Sequence, residues 1–123
     1  MGGFYQSSWE GDYFGTDFKK LRGYLDVHTY SFGFNFNILL SQAQEAYSLQ
    51  WSDPFEDAET DLDLFLFTPE YRLLAASTNR KRSYEEIFHS HEVGDRLVIA
   101  RKSGPPKYIR LDGGLNEIFH FHF

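Results

Sequence analysis

Hydrophobic and polar residues alternate along most of the chain from Tyr24 onward, in short runs separated by turn-forming residues. The clearest run is SFGFNFNILL (residues 31–40), in which phenylalanines alternate with small or polar residues. A period of two residues is the pattern of a β-strand that buries one face. Comparable runs follow as AYSLQW, DLDLFLF, YRLLAAS, YEEIFHSH, DRLVIAR, KYIRLD and NEIFHFHF. The pattern therefore predicts a chain built from short strands.

Turn-forming residues lie between these runs, for example Asp53-Pro54, Gly94-Asp95 and Gly113-Gly114. About eight or nine strands at regular spacing, without an amphipathic helix of useful length, predict an all-β protein. The expected architecture is an antiparallel β-sandwich of jelly-roll type. The short segment SQAQEA (residues 41–46) is compatible with a helical turn or a loop.

Residues 1–22 are rich in glycine and aromatic residues and have no clear period. They are predicted to form an extended N-terminal arm, and residues 23–123 the sandwich domain. An arm that docks on another subunit would make the protein a homo-oligomer. Aromatic rings also stack on sugars or extended peptides, so the arm residues Tyr5, Trp9 and Tyr13, together with Tyr108, are candidate ligand-binding residues. The alternative is that these rings fill the core or attach the arm.

The length, charge and residue composition of the chain exclude several classes of function. The chain has 123 residues, enough for one domain, and its aromatic content of 19% favours strands. A net charge of -6 argues against a nucleic-acid partner, because phosphate binding requires a basic surface. No apolar run approaches the roughly 20 residues of a membrane-spanning helix, and the first residues do not resemble a signal peptide. The absence of cysteine excludes disulfides and thiol catalysis.

Six acidic side chains and no basic ones lie in the short segment from Asp53 to Asp63: Asp53, Glu56, Asp57, Glu59, Asp61 and Asp63. Ca²⁺ takes six to eight oxygen ligands, often from a loop that folds around the ion. These six residues are therefore the candidate ligands of a calcium ion. Their spacing does not match an EF-hand loop, and the alternative is a solvated acidic loop that protects strand edges from aggregation.

Two His-x-His pairs provide the strongest enzymatic alternative: His89 with His91, and His120 with His122. Cupin jelly rolls hold a metal with such a pair, a carboxylate and a distant histidine, and Asp95 lies at about the right distance after His91 for the carboxylate. The alternative function is therefore a cupin-like metal-dependent enzyme. The flanking glycines of the cupin pattern are missing, and Ser83 and Lys102 occupy those positions. Histidines that alternate with phenylalanines on half-buried strands explain the same pattern.

Other catalytic arrangements find no support in the sequence. No Gly-x-Ser-x-Gly motif occurs. Glu85 and Glu86 are adjacent, so a strand directs them to opposite faces and they cannot act as a pair. No catalytic residue is predicted, and the chain is expected not to be an enzyme.

Three segments in order resemble a known family: LQWSDPF (residues 49–55), DLDLFLF (residues 61–67) and ASTN (residues 76–79). They are similar to the β-jelly-roll domains appended to bacterial and archaeal subtilisin-like proteases, close to the pre-peptidase C-terminal type. YEEI (residues 84–87) follows, with Tyr84 where proline is usual, and then LVIARKSG (residues 97–104). The resemblance covers roughly residues 34–111.

The resemblance implies a non-catalytic accessory domain of a secreted or surface protein. It implies that the domain stabilises or targets an attached catalytic domain or a partner protein, and some relatives bind calcium near such loops. A carbohydrate-binding module is the remaining alternative. In DLDLFLF, the physical pattern places Leu62, Leu64 and Leu66 on one face of a strand, which is expected to be the core face.

Overall fold

The structure is a computed structural model of the chain, and it describes residues 8–17, 21–29, 37–39, 43–92, 94–112 and 118–119. These residues form strands and no helix, and hence no helix that is long and apolar enough to cross a membrane. The strands are β1 (Ser8–Asp12), β2 (Gly15–Thr16), β3 (Asp26–His28), β4 (Asn37–Leu39), β5 (Ala43–Trp51), β6 (Asp61–Phe67), β7 (Leu73–Ser77), β8 (Tyr84–His91), β9 (Arg96–Ser103), β10 (Tyr108–Asp112) and β11 (Ile118–Phe119).

The strands form two antiparallel sheets that pack as a sandwich, so the predicted all-β sandwich is confirmed. The four-stranded sheet has the order β1-β10-β5-β8. In the seven-stranded sheet, β9 is central: β6 and then β7 lie on one side, and β3 and β4 share the other side. β2 extends β3, and β11 extends β4. Without the two-residue strands β2 and β11, the sheets contain four and five strands, within the predicted number.

The main core lies between the two sheets. Leu62, Leu64 and Leu66 of β6 are fully buried in it, which confirms the predicted core face. They pack with buried residues of the four-stranded sheet, including Tyr47, Leu49, Trp51, Ile109 and Leu111. The main core therefore joins β6 of one sheet to β5 and β10 of the other.

The opposite face of β6 is buried as well. Phe65 and Phe67 belong to a second, smaller core with Val27, Val98 and Ala100. Leu21, Tyr24 and Tyr71 cover this second core from outside the sheet. As a result, six of the seven residues of β6 are buried, and Asp63 is one of them.

Part of the predicted arm belongs to the sheets of its own chain. β1 pairs with β10 from Ser8↔Asp112 to Asp12↔Tyr108, and β2 pairs with β3. Tyr13, between these strands, is buried and donates a hydrogen bond of 2.8 Å to the Asp26 carboxylate. β5 begins at Ala43, so the last four residues of SQAQEA pair with β8 rather than forming a helical turn or a loop.

Candidate metal centre

The six acidic residues predicted as calcium ligands separate into two groups in the structure. Asp53, Glu56, Asp57 and Glu59 lie in the loop between β5 and β6, whereas Asp61 and Asp63 lie on β6. Glu56 and Asp57 are exposed, and Glu59 pairs with Lys107 at 2.8 Å. The loop carboxylates do not join Asp61 and Asp63 in a common cluster of ligand atoms.

Asp53 closes this loop. Its Oδ2 accepts hydrogen bonds from the Thr60 amide at 2.9 Å and from the Trp51 indole at 3.2 Å. Its Oδ1 lies 3.0 Å from the Lys107 ammonium. Burial raises the pKa of Asp53, but the hydrogen bonds from Thr60 and Lys107 outweigh burial, so the pKa lies below its usual value. Both oxygens of Asp53 are thus occupied by protein donors.

Replacing Asp53 with alanine is expected to lower the free energy of unfolding by about 2 kcal/mol, because buried donors lose a charged acceptor. Chemical denaturation measures this change. Glu56→Ala removes an exposed acid from the same loop and is expected to change stability by less than about 0.5 kcal/mol. Equal losses in the two variants would show that Asp53 does not hold the loop.

Asp61 and Asp63 meet a third carboxylate, Glu85, which the sequence did not indicate as a ligand. One ligand oxygen from each residue lies within 4.8 Å of the other two. β7 pairs with β6 only from Leu64↔Ser77 onward, so the first residues of β6 have no β7 neighbour. Glu85 of β8 lies beside Leu49 on the buried side of the four-stranded sheet and reaches the space beyond the end of β7.

Protein donors hold one oxygen of Asp63 and one of Glu85. The Tyr24 hydroxyl donates to Oδ2 of Asp63. The Ser77 hydroxyl and the Asn79 amide donate to Oε1 of Glu85 at 2.5 and 3.0 Å. The second oxygen of each residue, Oδ1 of Asp63 and Oε2 of Glu85, is buried and accepts no hydrogen bond from a protein donor, and the same is true of Oδ1 of Asp61. The carboxyl groups of Asp61 and Asp63 lie within hydrogen-bonding reach of each other, so a proton on one of them would be shared with the other. Buried polar atoms without a partner are rare in folded proteins.

Burial dominates the electrostatics of the three carboxyl groups, because a buried charge loses its hydration. It raises the pKa of Asp63 to about 6 and that of Glu85 to about 7. It also raises the pKa of Asp61, although the charges of Lys102 and Arg80 oppose this effect. The three groups therefore retain protons at a higher pH than ordinary carboxylates do.

A surface cavity of about 730 Å³ reaches one side of this cluster, and Glu85 is not among the residues that line it. Asp61 and Asp63 line it together with Tyr24, Thr78, Arg80 and Lys102. Lys102 lies over the ring of Tyr24, with its ammonium 4.9 Å from the ring centre.

One feature of the sequence could have indicated Glu85. It lies two residues before Ile87 on the same strand, so the alternation that buries Ile87 also places an acidic side chain on the core face.

The candidates for a cupin-like site are only partly described. The side chain of His91 and both residues His120 and His122 lie outside the described residues. His89 is half-buried, and its Nδ1 lies 2.6 Å from the Ser90 carbonyl oxygen. Asp95 is buried and accepts a hydrogen bond of 2.9 Å from the Glu92 amide, so its carboxylate closes the turn between β8 and β9.

The aromatic candidates have different environments. Tyr13 is buried, and its ring centre lies 5.3 Å from that of His28, so this ring is not available to stack on a ligand. Tyr108 is 48% exposed on the four-stranded sheet. Tyr5 and the side chain of Trp9 lie outside the described residues.

No protein-family model matches the chain, and no curated protein matches it in sequence. The resemblance to protease-appended jelly rolls stays a prediction from the residues quoted above.

Proposed function

We propose that the chain is a non-catalytic interaction domain of a secreted or surface protein, which holds a partner protein against the solvent side of the four-stranded sheet. This side, the outer face, is the observation on which the proposal depends. On β5, β8 and β10 it consists of the side chains that alternate with buried core residues: Ser48, Gln50, Tyr84, Glu86, Phe88, Tyr108 and Arg110. Glu10 of β1, which pairs with Arg110, belongs to the same face.

The strand register aligns charged, polar and aromatic groups across the outer face. Glu10 pairs with Arg110, Arg110 with Gln50, and Gln50 with Tyr84, which makes one continuous row across all four strands. Interfaces favour such a combination, because aromatic and arginine side chains supply contact area and directional hydrogen bonds together. The row therefore has the composition of a recognition surface.

Exposed aromatic rings lie around this row. Phe88 is 63% exposed, and Phe55, which is 55% exposed, lies 6.4 Å from the ring of Tyr84. Exposed apolar side chains that cluster with one another, with polar residues around them, are typical of interaction sites. The resemblance to protease-appended domains suggests that this partner is an attached or associated protease.

A carbohydrate is the second candidate partner, and a specific cavity favours it. The cavity has a volume of about 280 Å³, and Tyr108, Arg110, Glu10 and Gln50 line it. A tyrosine ring beside side chains that donate and accept hydrogen bonds suits a sugar, whose faces are apolar and whose rim carries hydroxyl groups.

The test compares two double variants that each remove two exposed apolar side chains. Phe88→Ala with Tyr108→Ala changes the outer face, whereas Leu25→Ala with Leu73→Ala changes exposed leucines next to the seven-stranded sheet. Immobilised wild-type protein is expected to recover a specific protein from the surface or secreted fraction of its source cells. The outer-face variant should lose at least about tenfold in recovery, and the leucine variant should match wild type.

Equal recovery by both double variants would contradict a binding role for the outer face. Recovery of no specific protein would contradict a protein partner. Depletion assays with insoluble cellulose and chitin test whether the partner is a carbohydrate. If it is, wild-type protein and the leucine variant should bind the polysaccharide, and the outer-face variant should not.

A further inference from the structure

We infer that Asp61, Asp63 and Glu85 form a calcium-binding site, located where β6 and β8 meet beyond the end of β7. This site differs from the predicted one, because four of the predicted ligands lie elsewhere and Glu85 comes from a strand of the other sheet. The inference is independent of the proposed partner-binding face.

The first argument is the set of oxygens without partners. Three carboxylates from two sheets approach one another. Each of these residues also has one buried oxygen that no protein donor contacts. Asp63 is 2% exposed and Glu85 is fully buried. Three like charges in a buried cluster repel one another unless a cation or protons lie among them. A single divalent cation would satisfy all three oxygens at once.

The second argument is that the surrounding residues already orient two of the ligands. Tyr24 donates to Oδ2 of Asp63, and Ser77 and Asn79 donate to Oε1 of Glu85. Hydrogen bonds of this kind around a metal centre fix the direction of its ligands. In both residues they leave the second oxygen free for an ion.

Neighbouring basic side chains do not neutralise the cluster by direct pairing. Arg80 and Lys102 line the same cavity, but the ion pairs among the described residues do not join either of them to Asp61, Asp63 or Glu85. Lys102 instead contacts the ring of Tyr24. The carboxylates thus remain available to a cation from solvent.

The chemistry of the site favours calcium over other divalent ions. Its three protein ligands are all carboxylate oxygens, whereas zinc and copper sites typically include histidine or cysteine. Ca²⁺ tolerates irregular coordination by carboxylates and water, while Mg²⁺ requires a compact octahedron. Water that enters through the cavity would complete the coordination of a calcium ion.

The experiment is thermal unfolding at pH 8 in about 5 mM CaCl₂ and in excess chelator, with MgCl₂ as a third condition. Calcium is expected to raise the Tm of wild-type protein by about 5 °C or more. Glu85→Gln and Asp63→Asn should remove this increase, and Glu56→Gln, which changes the charge by the same amount in the exposed loop, should retain it.

Loss of folding does not confuse this test, because neutral amides relieve the repulsion within the cluster. In chelator, Glu85→Gln and Asp63→Asn are therefore expected to melt at or above the temperature of wild type. A wild-type Tm that is equal in calcium and in chelator would overturn the inference. So would a calcium response that persists in Glu85→Gln or disappears in Glu56→Gln, and an equal response to magnesium would overturn the choice of calcium.

Discussion

Replacing Gly104 with alanine is expected to lower the free energy of unfolding by more than about 3 kcal/mol, because strain and a backbone clash act together. Gly104 has a φ of +86°, a backbone conformation that is unfavourable for residues with a Cβ atom. A Cβ atom there would lie 2.5 Å from the Glu59 carbonyl oxygen and 2.6 Å from the Thr60 Cα. Both are backbone atoms, so relief requires the loop itself to move.

The loop cannot move without breaking further contacts. The Gly104 carbonyl accepts a hydrogen bond of 2.5 Å from Arg101, and the Pro105 carbonyl accepts one of 2.5 Å from the Thr60 hydroxyl. The first bond holds the turn between β9 and β10 to the end of β9, and the second fastens this turn against the loop before β6. The Ser-Gly at the end of β9 belongs to the segment that resembles protease-appended domains. The close approach of the backbone at residues 59 and 60 explains why a glycine is needed there.

Gly23→Ala is the matched control for this prediction. Gly23 has a similar φ of +83°, but no atom lies within 4 Å of the position of a new Cβ. Only backbone strain remains, and the expected loss is about 1 kcal/mol. Urea denaturation of both variants measures the difference. Equal losses would show that the contact with residues 59 and 60 does not matter.

The sequence predicts strands best where alternation is strict and turns are marked on both sides. β6 and β8 begin and end at the predicted residues, because DLDLFLF and YEEIFHSH lie between clear turn signals. The core face of β6 followed from the same alternation. These are local properties, and a period of two residues expresses them directly.

Burial of the second face of β6 depends on contacts between distant segments. Phe65 and Asp63 alternate with leucines and would face solvent in a sheet with one covered side. Tyr24, which precedes them by about forty residues, packs edge-on against Phe65 and donates to Asp63. Alternation cannot show which distant segment covers a sheet, so the buried carboxylate was not predictable.

The sequence predicted only part of the candidate site, because the rest depends on contacts between distant segments. Asp61 and Asp63 were predicted as ligands, but in the sequence they formed one group with the loop acids. The structure divides that group, since Asp53 caps the loop through Thr60 and Lys107. Glu85 joins the cluster because one sheet packs on the other. The spacing of acidic residues along the chain cannot show such a long-range contact.

Truncating Leu64 to alanine is expected to lower the free energy of unfolding by about 3 kcal/mol, because it removes buried methyl groups and leaves a cavity in the main core. Leu64 is fully buried between the sheets. Leu73→Ala is the control, since Leu73 is 52% exposed on β7 and its truncation should change stability by less than about 1 kcal/mol. Chemical denaturation of the two variants provides the comparison.

The Leu64 variant also separates the core from the proposed calcium site. Leu64 points into the main core, whereas the neighbouring Asp63 is on the other face of β6 and is held by Tyr24. We therefore expect Leu64→Ala to melt at a lower temperature than wild type yet to show the same increase in Tm on addition of calcium. If the variant folds but loses the calcium response, the geometry of the three carboxylates depends on core packing and not only on the hydrogen bonds that orient them.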